Sequence, residues 1–476
     1  MRKTFLNNVN NLDIIPMKTE RIRTITTLVS GGLIFLNIAS ALEVLEPGYR
    51  VSVYASYTCP MPLEAIGMPR GMAFDPGGNL YLTQLSGYPD SGSIYRVSPD
   101  GTAVEWRAGL GTPRRIVWAG GSDLGDYLYL TDGNPSVVYR LELDGTVSVF
   151  AALDDTAHSL ALDRSGLYGG NLFVATRGYD EVYAVSPSGQ VSLFSSFPGP
   201  TPSGHLDLAF DPSPHHGRLL YVALDLPVGR SGVGGVFRLD PDGQATRLAP
   251  DIVSAWSVAF PPGEAFGGGL FVCGRVGEDA HNALWRVDRN GQIAPFATAT
   301  IGNELQVLCF APDGAMLVPE FSFSEQRVVI QRITQRASVD IRPGSCPNPL
   351  NLRSRGVLPV ALVGSPIFDV QAVDRAFLRL LNVSAIRSHY EDVTAPPASP
   401  NDCNCGTEPP DGIADLVLHF DTEQIVAALR DHYESLGNGA VLPLTLTGKC
   451  TDQTPFEGTD CVVIRGNAQR SLSKQP

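Results

Sequence analysis

The chain has 476 residues, 43% of them hydrophobic, enough for a large core and, on length alone, for two or three domains. Its formal charge is −14, with 49 Asp and Glu against 35 Lys and Arg. So acidic a chain has no electrostatic footprint for nucleic acid and is repelled by anionic lipid, which excludes both as partners.

At the N-terminal end, Met17-Lys-Thr-Glu-Arg-Ile-Arg23 is a positive segment, Leu28 to Ile38 an apolar run and Ala39-Ser40-Ala41 a small-residue site. That order predicts a secretory signal starting at Met17 and cleaved after Ala41, so that residues 1–41 are removed. The apolar run is about half of what a bilayer span needs, and Gly31, Gly32 and Asn37 interrupt it. Without these 41 residues the charge falls to −17. All eight cysteines follow the cleavage site, so a secreted or periplasmic location, where disulfides persist, is expected.

From Arg70 onward one unit recurs. Arg70-Gly-Met-Ala-Phe74, Asn79-Leu-Tyr-Leu-Thr83, Ser93-Ile-Tyr-Arg-Val97 and Thr102-Ala-Val-Glu-Trp-Arg107 are four short runs of strand-forming residues separated by Gly, Pro and Asp turns. The residue closing the first run returns at Phe74, Trp118, Leu162, Phe210, Phe260 and Phe310, in steps of 44, 44, 48, 50 and 50 residues. A four-stranded unit at this period predicts propeller blades, six in number. The second run is almost wholly apolar in each copy, as befits a strand covered on both faces. Asp100-Gly101, Asp144-Gly145, Ser188-Gly189, Asp242-Gly243 and Asn290-Gly291 supply the hairpin turn before the fourth strand. The sixth copy lacks that turn and that strand. Tyr49-Arg-Val-Ser-Val-Tyr-Ala55 resembles a fourth strand without a blade, and is predicted to lie beside Arg327–Gln331 and close the ring.

The repeat resembles the NHL and gluconolactonase-like six-bladed propellers over about residues 44–335. In a propeller the first strands line the central channel and the loops leading into them gather at one rim. The positions four before each landmark, Arg70, Arg114, His158, Leu206, Trp256 and Gln306, are therefore expected there, with His205, Asp207 and Glu304 beside them. The second-strand ends, Gln84, Asp132, Arg177, Asp225, Arg275 and Glu320, join them. Two readings follow: arginines and carboxylates paired between blades, or an anion-binding or catalytic pocket. As a pocket it has Arg70, Arg114, His205, Asp207, Trp256, Arg275 and Glu320 as ligand-binding residues, and His158 and Arg177 as catalytic candidates.

His158-Ser-Leu-Ala-Leu162 with Ala175-Thr-Arg177 resembles pieces of the peptidyl-hydroxyglycine lyases, where the resemblance implies three channel histidines on a zinc. Here the alternate blades present Arg70 and Trp256, so two of three ligands are missing and zinc is disfavoured. The Glu, Asn, Asn and Asp that hold calcium in gluconolactonase-like enzymes have no counterpart at this Arg-, His- and Trp-rich rim. Quinone-dependent sugar dehydrogenases share a His-Arg pair but need longer loops, and no organic cofactor is evident. His215-His216 belongs to a turn on the opposite face, and His281 to a loop on the rim side.

After Ile333 the repeat stops. Ala337-Ser-Val-Asp-Ile-Arg-Pro-Gly-Ser-Cys-Pro-Asn348, Gly356-Val-Leu-Pro-Val-Ala-Leu-Val363, Asp411-Gly-Ile-Ala-Asp-Leu-Val-Leu-His-Phe420 and Glu457-Gly-Thr-Asp-Cys-Val-Val-Ile464 resemble a small β-rich module appended to many secreted bacterial proteins. The fold class is thus all-β: a signal over 1–41, a six-bladed propeller over 42–335 and a sandwich-like accessory domain over 336–476. Asp392, Asp411 and Asp415 are either calcium ligands or a capped turn. Cys450 and Cys461 are expected to face each other across a hairpin as a disulfide, and Cys346 to pair with Cys403 or Cys405. Cys273 and Cys309 fall in strand patterns of adjacent blades, as buried thiols or a bridge.

The function expected is binding of a small anionic or carbohydrate ligand, or of another exported protein, at the channel mouth. The alternative is a lyase or hydrolase with His158 as acid or base and Arg70, Arg114 and Arg177 holding the anion.

Overall fold

The computed structural model describes residues 42–58, 69–85, 92–197, 206–213, 217–225, 234–276, 283–299, 305–322, 325–397, 403, 408–433 and 436–466. The expected signal sequence, Cys59, His205, His215, His216, His281, Glu304 and Cys405 lie outside the described residues.

The alternating apolar runs form six antiparallel blades. Blade one pairs Pro69–Phe74, Leu80–Gln84, Gly92–Val97 and Ala103–Leu110 in chain order, and blades two to five repeat that order. The first strands of the other five are Pro113–Trp118, Ala157–Leu162, Leu206–Phe210, Ile252–Ala259 and Cys309–Phe310, each ending at or beside its landmark. Second strands such as Leu80–Gln84 and Leu172–Thr176 are buried at every position, because a blade is covered by a neighbour on each face. The Gly of the late hairpin turns has two reasons to be Gly. Gly243 has φ +81° and Gly291 φ +82°, and a Cβ would lie 2.4 Å from Phe194 O and 2.1 Å from Leu248 O of the preceding blade.

Blade six is completed as the sequence implied. Tyr49–Thr58 runs antiparallel to Arg327–Arg336, with Tyr49 opposite Gln335, Val53 opposite Gln331 and Thr58 opposite Arg327. Ala55 and Tyr57 bury against Leu317, Val328 and Ile330, so closure is sealed by side chains as well as by the ladder. Leu42–Val44, given no role by the repeat pattern, adds a fifth strand to blade five with Leu42 opposite Ala299.

The C-terminal module has two sheets. One orders Ser338–Ile341, Val357–Val363, Asp415–Asp421 and Arg387–Glu391. The other contains Pro455–Arg465, Val441–Cys450 and Val373–Leu380, and it is continuous with blade six through parallel pairing of Gln335 with Phe456 and Arg336 with Glu457. The repeat therefore ends inside a continuous sheet. Blade five adds Glu264 N to Asp452 O at 3.2 Å and Phe266 N to Thr454 Oγ1 at 3.2 Å. One α-helix occurs among the described residues, Thr422–His432, capped by Asp421 and burying Ile425, Val426 and Leu429 on the module's core. No helix among the described residues is long and apolar enough to cross a membrane.

The disulfide expected between Cys450 and Cys461 does not form. The hairpin register puts Cys461 opposite Pro443, whereas Cys450 lies at the turn, its N–H on Thr454 O. Cys461 is bonded instead to Cys403, which comes from a Pro- and Cys-containing insertion, Thr394 to Pro410, ahead of the Asp411-Gly412 turn, and Cys450 is a buried thiol. Cys346 is also disulfide-bonded. Cys273 and Cys309 are free, and burial pushes the Cys309 thiol up to about 12.

Candidate functional site: the two ends of the channel

The rim residues owe their aim to irregular strands. In blade two, Pro113 pairs with Asp132 and Ile116 with Leu130, so Arg114 and Arg115 together oppose Thr131. Equivalent register shifts fall at Pro69/Gly71 and Ala157/Ser159. A β-bulge puts two residues against one and re-aims a side chain, here at the start of the strand where the channel opens. Neighbouring first strands approach closely at this level. A Cβ on Gly71 would lie 2.5 Å from Arg114 O and 2.8 Å from Arg115 Cα.

Arg70, Arg114, Arg115, His158, Trp256 and Gln306, with Ser159 and Asp207, line one small cavity of about 20 Å³, roughly the room one water needs. Arg70 reaches Gln306 through Nη1 and Oε1. Arg114 is 8% exposed, and no carboxylate among the described residues lies within salt-bridge distance of it. Its Nη1 is 3.2 Å from His158 Nε2. Burial first, then the charges of Arg70 and Arg177, push the Arg114 guanidinium down to about 9. The histidine tautomer follows from its partners. His158 Nδ1 lies 2.9 Å from Leu206 O, which can only accept, so Nδ1 carries the proton and Nε2 accepts from Arg114.

Among the described residues Asp132 and Asp225 form no salt bridge with these arginines. Asp132 accepts from the backbone N–H groups of Gly111 (3.0 Å), Thr112 (2.6 Å) and Asn134 (3.0 Å), so it shapes the loop. Burial raises its carboxyl, while those donors act against the rise. Asp225 takes the Ser254 hydroxyl, and Glu320 takes Gln331 Nε2 at 2.9 Å from within its own blade. Arg275 lies over the Trp256 ring at 5.6 Å. Arg177 is on an exposed turn, near enough to act on Arg114 by its charge.

Asp207 has a structural set of partners. It accepts from Arg115 Nη2 and Ser159 Oγ, both at 2.6 Å, and from Val258 N at 2.9 Å. Spacing assigns one rim residue to each first strand and so does not point to Arg115 or Ser159. The Arg114-Arg115 doublet was the available signal. This ion pair partitions the channel.

Beyond it, toward the opposite face, opens a well of about 550 Å³. Trp118, Phe210, Phe260 and Phe310 form its wall, and Arg115 also lines it. Five of the six landmark positions of the repeat, all but Phe74, thus line it. Arg164 at its edge is tied to Gly120 O at 2.8 Å.

Asp392, Asp411 and Asp415 lie in the module. Asp392 accepts from Asp411 N (3.2 Å) and Gly412 N (2.7 Å), and Asp411 from Ile413 N (2.9 Å). Asp415 is buried and takes Gly364 N, Val393 N and Thr394 N, at 2.9, 2.9 and 3.1 Å. Among the described residues no three His, Cys, Asp or Glu side chains are arranged to hold a metal ion.

No family model matches this chain, and no curated protein matches it. Among solved structures, it is similar to an auxiliary nutrient binding protein from Bacteroides thetaiotaomicron, at 12% identity and a TM-score of 0.44 over 60% of this chain and 76% of that one. A gluconolactonase from Xanthomonas campestris matches at 14% identity and a TM-score of 0.43 over 60% of this chain and 90% of that one. Virginiamycin B lyase from Staphylococcus aureus matches at 13% identity and a TM-score of 0.39 over 60% and 99%.

Proposed function

We propose that this protein is an exported ligand-binding propeller that captures a small anion, carboxylate- or phosphate-bearing, at Arg70, Arg114 and Arg177 beside His158. The observation that carries this reading is Arg114: a buried guanidinium with no carboxylate within salt-bridge distance among the described residues, on which the two like charges of Arg70 and Arg177 act more strongly than the single opposing charge of Asp132. Such a group is costly unless something neutralises it. A bound anion would accept hydrogen bonds from the guanidinium fork and relieve the repulsion. Binding is favoured over catalysis because His158 Nε2, the only nitrogen able to take a proton, already accepts from Arg114. The disulfide bonds suit export.

The test is a thermal-shift panel of small carboxylates, sugar acids and inorganic phosphate against wild type and Arg114→Met. At least one anion should raise the wild-type midpoint, and the variant should lose that shift while being at least as stable as wild type. No shift with any anion, together with a less stable variant, would show that Arg114 is structural. A second reading is favoured by the volume of the opposite well, whose aromatic wall suits a sugar or apolar ligand. A ligand that quenches tryptophan emission, lost in Trp118→Phe and kept in Arg114→Met, would place binding there.

A further inference from the structure

In the C-terminal module, the first and last strands meet at a group of oxygens that protein donors leave unsatisfied. In Ser338–Ile341, Val339 and Ile341 enter the core, so Asp340 points to the other face of its sheet, opposite Ala361. Asp340 is 3% exposed, and both of its carboxylate oxygens are enclosed and accept no hydrogen bond. Asp460, 1% exposed, is its neighbour in charge. Its Oδ2 accepts from Ile341 N at 2.8 Å and Asn348 Nδ2 at 2.9 Å, and its Oδ1 from Cys461 N at 2.6 Å.

Asn348, also 1% exposed, sends Nδ2 to Cys461 O at 3.1 Å as well. Both partners of that nitrogen are acceptors, which fixes the amide and leaves Oδ1 without a donor. Among the described residues no cationic side chain is paired with these groups. Burial first, then Asp460 and Asp415, push the Asp340 carboxyl up to about 7.

We propose that Asp340, Asn348 and Asp460 hold a hard divalent cation of the calcium class. Three unsatisfied oxygens on two buried side chains, with the Asp460 carboxylate bonded to Asn348 and acting by its charge on Asp340, match what such an ion requires. Calcium takes 6 to 8 oxygens in irregular geometry and completes its shell with backbone carbonyls or water, whereas magnesium demands a near-ideal octahedron. Transition metals prefer imidazole or thiolate, and the cysteine beside this cluster, Cys461, is committed to its disulfide. A proton on Asp340 would neutralise the carboxylate but leave Asn348 Oδ1 unsatisfied. The ion would clamp the first strand, the Asn348 segment and the last strand, and the last strand joins the module to blade six. This cluster is separate from the Asp392–Asp411 turn, whose carboxylates accept from backbone N–H groups.

The test uses the full chain with its disulfides intact, stripped with chelator and then titrated with calcium chloride. Equilibrium dialysis with radioactive calcium reads stoichiometry, and calorimetry reads the melting midpoint. Wild type and Asp392→Asn should each bind about one calcium per chain with a midpoint several degrees higher in calcium, as expected for a ligand held only by the folded state. Asp340→Asn, nearly isosteric and equivalent to a protonated carboxyl, should lose the binding and the shift. Wild type that binds no calcium, or Asp340→Asn that binds it as before, overturns the proposal. Should Asp340→Asn fail to fold, Asn348→Ser replaces it. Loss of the Oδ1 ligand should weaken calcium at least severalfold, and unchanged affinity also overturns the proposal.

Discussion

Replacing Asp207 by Asn should expose the role of the ion pair that partitions the channel. Arg115 Nη2 is 2.6 Å from Asp207 Oδ2, and the two side chains are 11% and 5% exposed. At an effective dielectric of ~20, charges at that separation attract by about 6 kcal/mol, before the cost of removing both from water. Asn keeps the shape and can still accept from Val258 N, so the change removes mainly the charge and leaves Arg115 desolvated beside a neutral amide. Breaking a buried pair in this way costs about 3–5 kcal/mol. Equilibrium urea denaturation followed by circular dichroism should show the midpoint fall accordingly. Arg115→Met with Asp207→Leu removes both charges and should recover most of the loss, because buried pairs exchanged for apolar side chains are often neutral. A loss below about 1 kcal/mol for Asp207→Asn, or a double variant no better than the single one, would refute the reasoning: the channel would then be held by its apolar walls alone.

Tyr57 stacks on Tyr95 with centroids 4.3 Å apart and donates to Gln84 Oε1 at 3.0 Å across the closure seam; Tyr57→Ala should cost about 3–5 kcal/mol by urea denaturation. Held down at about 9 in the folded protein, well below its ordinary value, the charged Arg114 guanidinium is destabilising at neutral pH by about 5 kcal/mol. The unfolded chain keeps this proton to higher pH than the folded one, so wild type should gain stability relative to Arg114→Met as pH rises above 9, and lack that gain below 9. Peptide mapping of unreduced protein should recover Cys403 linked to Cys461 and Cys450 as a thiol. The link closes a loop of 58 residues, so Cys461→Ala should cost about 4 kcal/mol in the chain-entropy account.

The architecture was legible because it is written in local rules. A period of 44 to 50 residues, two-residue turns ending in Gly and strand-length apolar runs specify blades wherever they occur. The orphan strand Tyr49–Ala55 had to find the edge that the sixth repeat lacked. Rim membership was legible too, since position along a first strand sets depth in the channel: Arg70, Arg114, His158, Trp256 and Gln306 do converge.

Pairing within the rim was decided by the tertiary structure. Alternation assigns one inward residue per two, and the bulge at Arg114-Arg115 breaks it, sending the second arginine to Asp207 and leaving the first against His158. The disulfide shows the same division. Cysteine count predicts a bridge, but the hairpin register separates Cys450 from Cys461 and brings Cys403 to it from an insertion without strand pattern. Residue type and spacing encode what a side chain can do and which element carries it. Which partner it meets depends on register, bulges and the approach of segments far apart in the chain, and no local pattern records those.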